Sequence, residues 1–517
     1  MHALHTLDVQ FKLVTPCFSG VEAQRAEIRV PSLMGMIRFW WRALAWGRTT
    51  SLGDDNKRLA KVHAWEADLF GSTAGQRLLV RLSKNETRRQ GSEVIKRRDL
   101  IGGYAWRNFS AQNSDQKRDA PTLCSGLAYL AGQGLVGSQD TVNDHGRTIP
   151  APTDKDPGAQ RTSWFDLRES MAPGGTFTLS FRAAPGNRLN ARQVDAETGT
   201  APPSLLDALK AVGLLGCLGS RARRGFGSLH LDYADARGVL DDATAEALGN
   251  LPTPDDRDNY IADLGTLFAL GGASEPNAPY SVINEACDAV LISSRADGRE
   301  LAKFHDAVGE GFRSFRSWYP EIYNNPPKGR FEFDHQWFKA LPGKGISIPR
   351  DRNGFIPLLT NTKPTYFPKS AYTFPERAVF GLPYPMGKAQ VVPDHAELER
   401  RASPLLLRIL DFGAGQFGAL WLHMPGIFLP EAVALKIKSS GNRNQNIAAS
   451  EAKAPGAVNP DIITAFLDYA AGVFGTGDDG RVTIDTAHNG KRRAFGLKTP
   501  RQDWASAMAE RIKGGQP

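Results

Sequence analysis

The chain is poor in the residues that build covalent frameworks and metal centres, with four cysteines and ten histidines in 517 residues. Cys17, Cys124, Cys217 and Cys287 are widely scattered, with no C-x-x-C pair and no Cys/His cluster. A zinc site therefore lacks a ligand set, and a disulfide framework is not expected at this length. No window approaches eighteen uninterrupted apolar residues, which argues against a membrane-spanning helix. The opening MHALHTLDVQFKLVTP has neither a basic n-region nor a continuous apolar h-region, so it does not read as a signal peptide. H-E-x-x-H, G-x-S-x-G and Gly-Lys-Ser/Thr motifs are missing too, which removes the usual signatures of metalloprotease, hydrolase and nucleotide-hydrolysing sites. The expectation is a reduced, cytoplasmic protein with no metal and no cofactor.

What is present suits a globular protein: 41% of residues are hydrophobic and 23% charged. The length favours two or three domains. A formal charge of +8 points weakly to an anionic partner, so the placement of the arginines matters more than their sum.

Residues 5–16 alternate apolar and polar and read as a strand. Pro31 and Ser32 open a helix, SLMGMIRFWWRALAWG, with Ser32 as the expected N-cap and Gly47 as its stop. The segment EADLFGSTAGQRLLVRLS gives a helix end, a Phe-Gly turn and a strand. A polar insertion over 84–163 follows, then strand GTFTLSFRA, helix PPSLLDALKAVGLLGCLG and strand SLHLDY. The order β-α-β-(insertion)-β-α-β is that of a ferredoxin-like, RNA-recognition-type domain, an α+β class. The second half loosely echoes the first: helix 301–318, then FGLPYP, then ASPLLLRIL. The expected division is a first domain over 1–235, an acidic linker over 236–258, a second such domain over 259–437 and a partly helical C-terminal extension over 438–517.

Two stretches carry chemistry. In the first helix Arg38 and Arg42 lie one turn apart on one face. Gly35 in its first turn suggests close approach of another backbone to a helix end suited to phosphate. The bland alternative is a packed helix whose arginines pair with carboxylates. The second stretch, LLGCLGSRARRGFGSLHL, sets Arg221, Arg223 and Arg224 among glycines, a composition suited to cradling an anion with amides and guanidiniums. Its bland alternative is a solvated turn with Gly219 as the C-cap. His305-Asp306 reads as a solvated helix face, and the GTGDDG run, Asp144-His145, Asp334-His335 and Asp394-His395 as polar surface. His2 or His5 could serve a metal-free ribonuclease as general base.

TPCFSGVEAQRAEIRVPSLMGMIRFWWRAL, EADLFGST and GLLGCLGSRARRGFGSL together resemble the RAMP superfamily of CRISPR systems. Within it they resemble the first subunits of Cmr, or type III-B, RNA-guided effectors. The Pro-Ser-x-x-Gly-x-x-Arg-Phe-Trp-Trp-Arg run from Pro31 to Arg42 is the more specific part, and the likeness spans about 5–435. The resemblance implies a non-catalytic RNA-binding subunit with two RAMP domains, in antiviral defence. It would cap the backbone filament at the guide RNA 3′ end and help capture target RNA, beside RAMP backbone subunits and small helical subunits. Motif by motif, the RNA-binding positions it implies are Ser32, Gly35, Arg38, Arg42, Gly219, Ser220, Arg221, Arg223, Arg224, Gly225 and Phe226. Cys217 departs from the more usual glycine. A stand-alone metal-independent RAMP endoribonuclease acting on guide precursors is the alternative.

Overall fold

The structure is a computed structural model. It describes residues 6–20, 25–73, 75–90, 125–131, 136–138, 141–144, 147–150, 165–167, 169–184, 193–236, 242–293, 301–316, 376–386, 389–430, 435–439, 461–475, 481–488, 491–498 and 508–513, with 187, 189 and 433. Most of the 84–163 insertion, the histidines at 2, 5, 145 and 335 and the aspartates of GTGDDG lie outside these residues.

Strand β1 (Thr6–Leu13) alternates half-buried and buried residues throughout, as its sequence alternation requires. Helix α1 (Val30–Ala45) begins earlier than Ser32 suggested. Arg29 takes the N-cap position with no side-chain cap, and Pro31 sits in the first turn, where its missing N–H costs nothing. Ser32 is therefore a first-turn residue and not the cap, and the chain continues past Gly47 as a 3₁₀ turn to Leu52. Helix α2 (Asp55–Phe70) is capped by the Asp54 carboxylate. Strands β2 (Leu78–Asn85) and β3 (Thr176–Ala183) follow. Helix α3 (Leu205–Leu215) carries a full capping box, Ser204 with Asp207, and strand β4 (Leu229–Ala236) closes the unit. The sheet order is β4-β1-β3-β2, antiparallel throughout. That is the ferredoxin-like arrangement. Val9, Phe11, Phe177, Leu179 and Phe181 face Leu33, Ile37, Trp41, Leu209 and Val212 in its core.

Helix α4 (Arg257–Leu270) starts at the end of the acidic stretch, capped by Asp256. The Tyr260 hydroxyl donates to Leu214 O at 2.7 Å, tying α4 to the end of α3.

The second unit repeats the topology. Strand β5 (Asp288–Ser293), helix α5 (Leu301–Arg316), strands β6 (Leu405–Asp411) and β7 (Phe417–His423), helix α6 (Asp461–Gly475) and strand β8 (Met508–Lys513) form it. Its sheet runs β6-β7-β5-β8, again antiparallel, the same order read from the other edge. Helix α6 and strand β8 come from the 438–517 segment, which thus supplies this unit's second helix and outer strand. The sheet is covered on both faces. Leu405, Leu407, Ile409 and Trp421 pack beneath α5 and α6, while Leu406, Leu410, Leu420 and Leu422 join the core of the first unit. Burial on both sides explains why LLLRIL is a continuous apolar run and not an alternating one.

Strand β6 is an edge strand, and an edge exposes unpaired backbone groups. Three of its outward N–H donors find acceptors outside the sheet: Leu405 N on Ser403 Oγ at 3.1 Å, Leu407 N on Arg223 O at 3.1 Å and Ile409 N on Ser228 Oγ at 3.1 Å. Two of these acceptors belong to the segment between α3 and β4, so the arginine-rich loop covers the edge of the other unit's sheet. Arg408, fully buried, reaches from β6 to Leu229 O and to Val212 O (3.5 Å) near the C-terminal end of α3. A helix C-terminus carries partial negative charge, which favours a cation there without a carboxylate.

Ser228→Ala removes the acceptor of Ile409 N and leaves a buried donor unmet, which costs about 1–3 kcal/mol. The urea-unfolding midpoint should fall accordingly, and an unchanged midpoint would show that this seam bond adds nothing.

Candidate nucleic-acid interface

Helix α3 ends at Gly216, whose N–H returns to Val212 O at 2.8 Å, so Gly216 and not Gly219 is the C-cap. The two ends of the following loop are pinned together by Leu218 N to Gly227 O (2.8 Å) and Leu229 N to Gly216 O (3.0 Å). It is also pinned to the segment after β1, by Ser220 N to Phe18 O (2.9 Å) and Gly227 N to Pro16 O (2.8 Å). The glycines serve this crowding. Gly227 has φ +66°, and a Cβ there would lie 1.9 Å from Leu218 O. Gly225 has φ +82° and would press its Cβ to 2.7 Å from His305 Nε2. Both values are far inside contact distance, so the chain's own backbone and core fill the space beside these two glycines.

The three arginines separate. Arg221, in the left-handed region at φ +62°, is exposed. Arg223 turns toward the second unit, donating through Nη1 to Ser403 O at 2.5 Å, with its guanidinium 5.5 Å from the Phe39 ring of α1. Arg224 donates through Nη2 to Phe380 O at 3.0 Å and lies 4.6 Å from the Phe312 ring. Burial, aided by Arg401, lowers the Arg223 pKa to about 10; burial, aided first by Arg316, lowers that of Arg224 to about 9. Both remain cations at neutral pH. The notion of three arginines crowded on one solvated turn is thus corrected: two of them grip carbonyls of the other unit. Phe226 is fully buried against Phe18 (5.6 Å) and His305 (4.9 Å), which removes its ring from any ligand. Gly219 is exposed and Ser220 half-buried.

On α1, Ser32 is half-buried and Gly35 exposed. A Cβ at Gly35 would meet nothing within 4 Å, so no described part of the chain makes the close approach its glycine suggested. Arg38 and Arg42 share one carboxylate, Glu66, each at 3.8 Å, and Arg38 also lies 5.2 Å from the Phe70 ring. One carboxylate against two guanidiniums leaves an unbalanced positive charge, so the paired-helix alternative holds only in part. Trp40 and Trp41 are core residues, and the Trp41 indole donates to Pro203 O at 2.8 Å.

The Phe39–Arg223 contact brings α1 and the loop together, and Arg401 joins them from the second unit. Arg401 gave no sign in the sequence beyond its place in an apolar strand's approach, RRASPLLLRI. Among the described residues, no carboxylate lies within ion-pair distance of Arg221, Arg223, Arg224 or Arg401. Guanidiniums without carboxylates suit a phosphate backbone.

Acid–base and thiol chemistry find little support in the described interior. His305 is fully buried, not on a solvated face as its sequence suggested. Its Nε2 donates to Arg224 O at 3.1 Å, and burial lowers its pKa to about 4. Asp306 accepts from Leu127 N at 2.9 Å. Burial pushes the Cys17 and Cys287 thiols up to about 12, away from reactive thiolate. Asp394 and His395 are exposed. Among the described residues no group of three or more His, Cys, Asp and Glu could hold a metal, and no helix is long and apolar enough to cross a membrane.

Two antiparallel units of one strand order, joined through an arginine- and glycine-rich loop, define a double ferredoxin-like protein of mixed α and β structure. Residues 10–230 match the family model described as the RAMP superfamily, a span that contains α1 and the whole loop, and over it the chain is similar to RAMP proteins. No curated protein sequence matches the chain. Among solved structures, apo Cmr1 from Pyrococcus furiosus is 15% identical, with 86% of this chain and 93% of that chain covered and a TM-score of 0.38. A chain of the Type III-B Cmr-beta complex bound to cognate target RNA is 12% identical, with 90% of this chain and 100% of that chain covered and a TM-score of 0.39. The same complex with target RNA and AMPPnP, in the presence of ssDNA, gives 12% identity, the same coverage and a TM-score of 0.36.

His305 makes the fold sensitive to acid. Its folded pKa lies below its ordinary 6.5, so the unfolded chain takes up the proton first and stability falls as pH drops from about 6.5 to about 4. The full loss is on the order of 3 kcal/mol. Thermal unfolding followed over that range should show a steeper decline in the wild type than in His305→Gln, and parallel curves would remove His305 from the account.

Proposed function

We propose that the chain is a non-catalytic RNA-binding RAMP subunit of a type III-B (Cmr) RNA-guided effector. In this reading it sits at the 3′ end of the guide RNA, against the RAMP backbone subunits and small helical subunits, and helps to capture target RNA. The observation that carries the reading is the cationic band where α1 meets the glycine loop: Arg38 and Arg42 share the one carboxylate Glu66, and Arg221 and Arg223 have no described carboxylate within ion-pair distance. The RAMP match over residues 10–230 supports it. Backbone recognition by guanidiniums and amides is independent of sequence, which suits a complex whose guide reads the target by pairing. Exposed Gly35, which proves to be the sixth residue of α1 and not in its first turn, has open space where a Cβ would stand and leaves room for an RNA backbone to pass beside the helix.

The test is binding of a labelled single-stranded RNA to the purified chain across a salt series, with the RNA checked on a gel. Contact with about six phosphates gives a slope of log K against log salt near −4, at ~0.7 per phosphate. Arg221→Ala, which removes no side-chain hydrogen bond or ion pair among the described residues, should flatten the slope by ~0.7. Binding without salt dependence, or none, would overturn the reading, and cleaved RNA would replace it with the endoribonuclease.

Gly35→Ala gives a second, sharper expectation. Alanine stabilises a helix by about 1 kcal/mol over glycine. The melting temperature should rise while RNA affinity falls. A rise in melting temperature with affinity unchanged would mean that no RNA comes near Gly35.

A further inference from the structure

Each unit places a guanidinium at the same stretch of the seam. Arg223 belongs to the first unit, and its backbone is fixed because Arg223 O accepts from Leu407 N at 3.1 Å. Arg401 belongs to the second, and its backbone pairs with Leu382 in both directions, at 2.8 and 3.1 Å. Their side chains are anchored close by: Arg223 donates to Ser403 O at 2.5 Å, two residues along from Arg401, and Arg401 Nη2 donates to Ile427 O. Each anchor uses one of a guanidinium's five donors. Both acceptors are neutral carbonyls, so neither positive charge is balanced by its anchor.

We propose that the phosphodiester backbone of single-stranded RNA crosses the seam between the two units, seated on Arg223 of the first and Arg401 of the second. This rests on the RNA-binding reading above and adds a residue and a path to it. Two like charges pinned by separate backbones repel, and no described carboxylate relieves them. Arg401 is close enough to Arg223 to make it a weaker base, second to burial as the cause. A phosphate between two guanidiniums turns that repulsion into a pair of charge-assisted contacts. The path is continuous with the band on α1, because the Phe39 ring lies 5.5 Å from the Arg223 guanidinium, one residue from Arg38. An acidic segment of a neighbouring protein is the competing occupant, and it is distinguished below.

The experiment uses the full chain and a single-stranded RNA carrying 4-thiouridine. Arg401→Gln removes the charge but keeps a donor for Ile427 O, and Arg401→Lys keeps the charge. Thermal unfolding of each variant checks the fold. The expected result is a salt slope shallower by ~0.7 in Arg401→Gln and a loss of affinity of roughly fourfold near physiological salt, the counterion-release share of one phosphate. Arg401→Lys retains the wild-type slope. Photo-crosslinked peptides from the wild type come from both 219–227 and 399–404. If the wild type binds RNA with steep salt dependence, Arg221→Ala weakens it and Arg401→Gln does not, the strand stays on the first unit and the seam is free for an acidic protein segment; the proposal fails while the RNA-binding function stands. Crosslinks confined to 219–227 overturn it equally, even if Arg401→Gln is unstable. If the wild type binds no RNA, both readings fall together.

Discussion

The second sheet ends in a strand whose outward N–H groups need acceptors, and the loop after α3 provides two of them, Arg223 O and Ser228 Oγ. Much of the structure follows from this contact. To reach β6 the loop must fold back tightly on Pro16, Phe18 and Leu218, which only glycine permits at position 227. Once there, the side chains of Arg223 and Arg224 lie over the second unit and donate to its carbonyls at Ser403 and Phe380. Strand β6 becomes buried on both faces, with Arg408 crossing beneath it to the carbonyl end of α3. Covering an edge in this way also removes a site at which another chain could add a strand.

The same loop thereby has an inner and an outer aspect. Arg224, Gly225 and Phe226 belong to the inner one, packed against His305 and Phe312. Arg221 and the exposed Gly219 belong to the outer one, continuous with α1 through Arg223 and Phe39. A loop that both joins the units and bears charge keeps its cations in fixed places, so an anion meets them without ordering a flexible segment first. The cost is the burial of charge and, after it, the nearness of like charges, which together weaken the basicity of Arg223 and Arg224.

Sequence carried the first unit well because its signals are local. The alternation of Thr6–Leu13 and the apolar spacing of the helix before the loop act within a few residues, although the helix stop read at Gly219 lies at Gly216. The second unit was half legible. Helix α5 showed in the spacing of Phe304, Val308, Phe312 and Phe315, and β6 as an apolar strand echoing one in the first unit, but not its place at the sheet edge under the other unit's loop. The return of α6 and β8 to the same sheet depends on pairing across some two hundred residues, which no local pattern records. At the site, Arg38 and Arg42 stood where their spacing put them. The direction of Arg223 and Arg224 was hidden, since an arginine that grips a distant carbonyl and one that waits for a phosphate are written identically. Burial of His305 was hidden for a related reason: its polar neighbour Asp306 made the helix face look wet, while the loop that covers the histidine comes from the other unit.

The position of β8 has a consequence for the order in which the protein takes shape during synthesis. The first sheet is complete once the ribosome has released Ala236, whereas the second has no outer strand until Lys513 emerges, roughly 15–55 s later at 5–20 residues per second. Throughout that interval the first unit's docking surface, which carries Arg223 O, Ser228 Oγ and the Phe226 ring, has no complete second sheet to meet. The first unit is thus a template on which the later residues assemble, and a chaperone that shields this surface would act on a native feature of the fold and not on an error.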